Sequence, residues 1–313
     1  MKSIACFLVL LMLLAAACGF FKPGADQGPG RPVTLDPAAA EKIIAEIRKD
    51  REDTEAWLRG SPTSYLAAVD RVDFNQAKAL TVGKAEDNNL RLAADDIEPH
   101  HLRVSLEGDR FRIECIDPNA RFKIKEEVKR EAAVDPSYFQ LGRFTLRLSH
   151  QRFPALIVFD PQSPYFKAYK GLSYFPIDLN YCFELPLKRF PKPEKMTILS
   201  TRGNERAAER VGYVDFLAGD APCRLEATRL LEPGSGQDDL SIFFRDKTSG
   251  KETYGMGRYV DLKKLPNGNY LLDFNLAYNP ACAFSDFYNC PVPPKSNTLK
   301  VAIRAGEKDS HYH

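Results

Sequence analysis

The residues with the most chemistry to offer lie in one stretch, DFNLAYNPACAFSDFYNCPVPP, residues 273–294. It holds Cys282 and Cys290, five Asp or Asn side chains and four prolines. Cysteines at this spacing can do three things. In an oxidising compartment, a Cys282–Cys290 disulfide would close a short loop and stabilise the chain by roughly 2–3 kcal/mol in the chain-entropy picture. Pro291, Pro293 and Pro294 would then stiffen the loop's exit. Alternatively, Cys282 could serve as a nucleophile, which requires a base to make the thiolate. His150 is the one histidine on a plausible strand end, and nothing in the sequence brings it near. A metal pair would need C-x-x-C spacing or local histidines, and both are missing. No metal and no cofactor is expected.

A second polar group stands just upstream. Read as a strand, LLDFNLAY puts Asp273, Asn275 and Ala277 on one face and Phe274, Leu276 and Tyr278 on the other. ETYGMGRY adds Arg258 and Tyr259. Two arrangements fit. Arg258 could pair with Asp273 in a bidentate brace across the sheet. Or Arg258, Tyr259, Asp273, Asn275 and Asn279 could line a pocket for a small anionic or sugar-like ligand.

The elements that would hold these groups are mostly strands. KALTVGK, HLRVSLEGDRFRIECI, RFKIKEEVK and RFTLRLSH alternate apolar and polar residues with period two. Gly108-Asp109 and Asn267-Gly268 are hairpin signals between such runs. The fold class is therefore mainly β: a β-sandwich over residues 61–150, then a second antiparallel β region over 151–308 and a tail from 309 to 313. LKVAIRAGE reads as the strand that closes the last sheet. One helix precedes them, over 35–60, with Asp36 as cap and Pro37 in the first turn. Its charged middle, RKDREDTE, reads as solvated. No βαβ repeat, phosphate loop or nucleophile elbow occurs, so a nucleotide-binding parallel sheet is unsupported.

The first residues set an address. Lys2 precedes an apolar run, Ile4 to Ala17, that is too short to span a bilayer and reads as the core of a signal peptide. It ends AAAC at Cys18, which resembles the lipobox of bacterial lipoproteins with Ala15 in place of the usual leucine. That resemblance implies cleavage over residues 1–18, lipid on Cys18, and a chain hung from a membrane in the cell envelope, the outer one in a diderm. Residues 19–34 are rich in Gly and Pro and read as a flexible tether. With 44 Lys plus Arg against 42 Asp plus Glu, the charge is near balance and a nucleic-acid partner is not expected. Seven cysteines fall to five without Cys6 and Cys18, so at least one stays unpaired; Cys115, Cys182 and Cys223 read as buried free thiols.

Two further resemblances complete the picture. LTVGKAEDNNLRLAADDIEPHHLRV, with IDPNARFKIK and YFQLGRFTLRL, is similar in order and spacing to a forkhead-associated (FHA) domain. That family binds phosphothreonine through a Gly-Arg loop and a Ser-Arg-x-His motif. Here the matching positions are Gly83-Lys84 and Glu98-Pro99-His100-His101. Lys84 offers only a point charge and Glu98 would repel a phosphate, so phosphopeptide binding is not expected. His101 falls where the family keeps a structural histidine. The C-terminal region resembles a bacterial family of unknown function, DUF1684, through Asp246, TSG, ETYG, GRY, DFN, AYNP, CAF, CPVPP, Asn297, Leu299 and AGEK at 305–308. SPYFKAYKGLSYFPID upstream fits too. That family implies no chemistry. The expectation is an envelope lipoprotein that binds a small polar ligand or an envelope protein, or plays a structural part. The alternative is a hydrolase or transferase using Cys282 or the Arg258–Asp273 group.

Overall fold

The computed structural model describes residues 28–310. The stretch expected to be a signal peptide, Cys18 and the first part of the expected tether lie outside the described residues. Helix α1, Pro37–Gly60, starts where Asp36 accepts a hydrogen bond from the Ala39 amide at 2.8 Å, and ends one residue past Gly60 at Ser61. It is largely solvated, with one packed edge. Ile47 and Leu58 are buried, Arg51 donates to the carbonyl of Phe175, and Glu55 accepts from the Tyr169 hydroxyl and the Leu172 amide. Arg48, Lys49, Asp50, Glu52 and Asp53 are exposed as the charge pattern implies, and Arg51 and Glu55 form a narrow docking edge.

The sandwich is built from β1 (Ala68–Asp73), β2 (Ala79–Gly83), β3 (Leu90–Arg91), β4 (Leu102–Glu107), β5 (Arg110–Cys115) and β6 (Phe122–Ile124). It continues with β7 (Glu127–Lys129), β8 (Glu131–Val134), β9 (Tyr138–Leu141), β10 (Phe144–His150) and β11 (Pro154–Phe159). One sheet runs β1-β11-β10-β9-β6-β7 and the other β3-β2-β4-β5-β8. Only the short β2–β3 pair is parallel. The result is the FHA-like sandwich, with Val82, Phe111, Phe139 and Leu146 between its sheets. RFKIKEEVK is not one strand but a tight hairpin, β6 to β7, turning at Lys125 with φ 54°. The sandwich also runs past residue 150, because β11 is its second strand in the sheet order.

β11 explains how the two halves of the chain meet. Its run PALIVF is apolar without alternation, and all but its first residue are buried. Leu156 and Val158 point into the sandwich core. Ile157 and Phe159 point the other way, onto Phe243, Tyr259, Tyr288 and Cys290. A strand buried on both faces loses the period-two signal.

The second region holds β12 (Cys182–Leu185), β13 (Lys188–Leu199), β14 (Glu205–Ala218), β15 (Ala221–Leu230), β16 (Ser241–Phe244), β17 (Arg258–Asp261), β18 (Lys263–Lys264) and β19 (Tyr270–Asp273). Strands β13 to β17 form one sheet in sequence order, and β12-β19-β18 form a smaller one. Phe183, Phe216, Phe244 and Phe274 pack ring against ring between them, with centroids 5.0–6.2 Å apart. Three expectations fail here. Residues 30–33 are not free tether: Gly30 pairs with Phe216, and the Val33 amide donates to Cys182. A side chain at Gly30 would strike Leu185, so this close approach needs glycine. LKVAIRAGE forms no strand; it is a loop with isolated bridges at its two ends, Thr298 to Arg245 and Glu307 to Tyr174. And YLLDFNLAY stops being a strand at Asp273.

Candidate functional site

That stop at Asp273 is caused by its own side chain. The carboxylate accepts the Asn275 amide at 2.9 Å and the Asn275 side-chain nitrogen at 2.8 Å, and the chain folds into a single tight helical turn over Phe274–Leu276. Local side-chain bonding of this kind competes with strand pairing. The alternation that grouped Asp273, Asn275 and Ala277 is lost. Asn275 is committed on both ends of its amide to the backbone of Asp178. Burial pushes the Asp273 carboxyl above its ordinary value, opposed by Asn275 and by the charge of Arg51.

Arg258 does not meet Asp273. It is 1 % exposed and pairs with Asp246 at 3.3 Å. Its Nη1 donates to the carbonyls of Ala305 and Glu307, and the Nη2 that meets Asp246 also donates to the carbonyl of Ile303. Asp246 in turn accepts from the Ile303 amide at 2.6 Å and the Thr248 hydroxyl at 2.5 Å. The bracing pair is therefore Arg258–Asp246, and it pins the loop that sequence reads as a strand. Asn279 holds the same loop, with its amide on Glu307 and its side-chain nitrogen on Lys308. Of the five residues assigned to a ligand pocket, four are buried ties between segments. Tyr259 alone stands on a cavity of useful size.

The cysteines are neighbours but not bonded. Both thiols are free. The Cys282 amide donates to Cys290 Sγ at 3.3 Å, so the covalent brace expected at this spacing is, in this structure, a hydrogen-bonded thiol pair. Cys290 is held by Thr201, which accepts its amide and donates to its carbonyl, and Pro291 bridges Ser200. The two thiols are electrostatically unlike. Donation to Cys290, then burial, pushes Cys282 far up. Cys290 sits below its ordinary value because it accepts from the Cys282 thiol; burial opposes this, while the Cys282 amide and the charge of Arg206 add to it. His150 makes no hydrogen bond to either sulfur among the described residues; its Nε2 lies 3.8 Å from Asp109.

A cleft of about 560 Å³ lies between the sandwich and the second region. From the sandwich it takes Tyr138, Arg147, His150 and Ile157; from the second region, Arg206, Thr228, Tyr259, Tyr288, Asn289 and Cys290. Two of its three guanidinium groups are satisfied. Arg71 is paired with Asp73, and Arg206 with Glu232. Arg147 has no carboxylate partner among the described residues and lies only against the Tyr138 ring, at 5.9 Å. Three buried polar atoms of its lining residues, His150 Nδ1, Thr228 Oγ1 and Asn289 Nδ2, have no hydrogen-bond partner among the described residues. Buried polar groups are normally paired, so such atoms ask for an explanation.

Sequence reasoning missed Arg147, Thr228 and Asn289. On β10 Arg147 alternates with Leu146 and Leu148 and reads as an ordinary solvent-facing residue. The available signal was next door: a β11 apolar on both faces means that the outer face of this sheet is covered, and that its polar residues line a junction. In the FHA-like part, His101 is structural. It accepts the Glu98 amide at 3.0 Å, bonds the Arg121 carbonyl at 2.9 Å and is 3 % exposed. Lys84 is exposed and lies 3.8 Å from Asp95.

Residues 167–308 match the family described as Protein of unknown function (DUF1684). The match covers the C-terminal half of the described chain and leaves the sandwich outside it. The matched residues hold the thiol pair, the Arg258 brace and one wall of the cleft. No curated protein matches the chain. Among solved structures, an uncharacterized protein of Haloarcula marismortui is 35% identical over 49% of this chain and 83% of its own, with a TM-score of 0.39. The FhaA FHA domain, solved with the intracellular domain of a partner protein, is 10% identical over 28% of this chain and 96% of its own, with a TM-score of 0.20. EmbR of Mycobacterium tuberculosis, in complex with a low affinity phosphopeptide, is 13% identical over 40% of this chain and 32% of its own, with a TM-score of 0.21. Scores this low carry no functional argument, and the DUF1684 description names no activity.

Proposed function

We propose that this protein is a ligand-binding module of the cell envelope, hung by lipid on Cys18, and that its site is the cleft between the two β regions. The observation that carries the reading is that an unneutralised Arg147 from the sandwich and buried, unpartnered Thr228 Oγ1 and Asn289 Nδ2 from the second region line the same cavity. The volume suits a small molecule, since such sites run to roughly 300–1,000 Å³. Arg147 supplies a planar cation for a carboxylate or phosphate. Thr228 and Asn289 can meet hydroxyls, and Tyr138, Tyr259 and Tyr288 offer ring faces. The class that uses all three is an acidic sugar or a similar hydroxylated anion.

Saturation-transfer NMR with D-glucuronate, D-glucose and inorganic phosphate tests this. Glucuronate is expected to receive transfer and glucose little. Arg147→Ala should weaken glucuronate binding about tenfold or more, because a charge-assisted hydrogen bond contributes roughly 1.5–3 kcal/mol, and Thr228→Val should weaken it less. Transfer that is unchanged in both variants would place the ligand elsewhere. Anchoring is tested separately. Cys18→Ser should move the chain from the detergent-extracted membrane fraction to the soluble one, and an unmoved variant would remove the lipid from the account.

A further inference from the structure

The thiol pair is not used by the ligand reading, and one of its members, Cys290, lines the same cleft. We propose that Cys290 and Cys282 form a redox-active dithiol that reduces low-molecular-weight disulfides entering the cleft, with Cys290 as the entering nucleophile and Cys282 as the resolving thiol. Three features of the geometry support it. Cys290 lines the cleft, at 7 % exposure, while Cys282 does not line it. The Cys282 amide already points at Cys290 Sγ from 3.3 Å, and Arg206, on the same wall, donates to the neighbouring Asn289 carbonyl at 2.9 Å. Both groups favour a sulfur anion at Cys290. The backbone on each side is fixed, by Pro280 ahead of Cys282 and by the Thr201 clasp and the Ser200–Pro291 bridge around Cys290. The segment that carries both thiols is therefore held at each end.

The steps balance. Cys290 loses its proton to solvent, and its thiolate attacks one sulfur of a disulfide R–S–S–R. The S–S bond breaks, R–S⁻ leaves, and Cys290 carries a mixed disulfide. Cys282 then attacks the Cys290 sulfur and its proton goes to the second departing R–S⁻, leaving a Cys282–Cys290 disulfide. The small disulfide gains two electrons and the protein dithiol loses two. The unlike electrostatics of the pair fit these roles: an entering thiol titrates lower and a resolving thiol stays protonated until the mixed disulfide forms.

The test uses the full reduced chain and cystine as probe, with each cysteine assigned by mass spectrometry after acid quench and alkylation. Wild type is expected to release two cysteines per chain through this site and to yield a Cys282–Cys290 cross-linked peptide. Cys282→Ser should stop at one released cysteine, with cysteinylated Cys290. Cys290→Ser should slow modification of Cys282 about tenfold or more. The rate at Cys290 in wild type should already be half-maximal below the ordinary thiol range near pH 8.5. The wild-type map decides even if a variant fails to fold. A chain in which half-buried Cys115 is cysteinylated while Cys290 stays free would overturn the proposal, as would a Cys290→Ser chain that oxidises Cys282 at the wild-type rate.

Discussion

Arg258 shows how a residue that reads as a binding group can be a structural one. Its cation is removed from water almost completely and answered by one carboxylate and three carbonyls. Removing one partner of such a pair leaves the other charged, buried and alone. Arg258→Ala is expected to lose about 3–5 kcal/mol of unfolding free energy for that reason, measured by urea titration at neutral pH. Arg258→Lys should recover less than half of the loss, since an ammonium gives a point charge in place of a planar fork. A loss below about 1 kcal/mol, the scale of an exposed pair, would mean that solvent reaches the site. The same residue marks what the sequence can convey. The types are right, an arginine and an aspartate that must meet, but the partner is Asp246 and not Asp273. Nothing in spacing distinguishes the two; the choice is made when the segment 299–308 folds back under the guanidinium.

At the scale of elements, the strands were legible where one face is wet and the other dry. The β4–β5 hairpin turns at Gly108, with φ 65°, where LEGDRF places it, and β18–β19 turns at Gly268, with φ 89°, inside PNGN. Asp36 caps α1 as its position requires. Legibility fails where a side chain or a second layer overrules the alternation. Asp273 ends β19 by bonding ahead to Asn275. Lys125 turns one apparent strand into two. β11, apolar throughout, hides which residues face which core, and with them the junction that holds the cleft. The site residues on β10 and β15, Arg147 and Thr228, were unreadable for that reason: each belongs to an ordinary alternating strand, and only the packing of one region against the other turns their outer faces inward. Cys290 and Cys282 were readable as a pair from spacing alone. Their bonding state was not, because spacing shows reach and not redox chemistry.

For the whole molecule, the question is what ties the FHA-like region to the DUF1684 region; the half-buried carboxylate of Asp73 does so, and the buried Asp273 inside the second region has the opposite pH dependence. Asp73, at the end of β1, accepts from Arg71 of its own strand and from Arg202 of the β13–β14 turn, while Arg71 also reaches the Phe287 carbonyl. Burial alone would raise the Asp73 carboxyl, but the hydrogen bond and charge of Arg71, with Arg202, hold it below its ordinary 3.8. The unfolded chain therefore binds that proton more readily than the folded one. The contribution of Asp73 is complete above its unfolded value and is lost as pH falls through the lower, folded value. Asp273 runs the other way. Burial raises its carboxyl, so its contribution is complete below 3.8 and is lost as pH rises through the folded value. Urea titrations at pH 7 and at about pH 3 should separate the two. Asp73→Asn is expected to cost about 1 kcal/mol at pH 7, the upper end for a solvent-screened pair, and almost nothing in acid. Asp273→Asn, which removes a charge the fold resists, should cost less at pH 7 than in acid, where the neutral acid it replaces is already accommodated. Parallel losses at both pH values for Asp73→Asn would mean that the Arg71–Asp73–Arg202 cluster holds the regions by packing rather than by charge, and the cleft it borders would then keep its shape in acid.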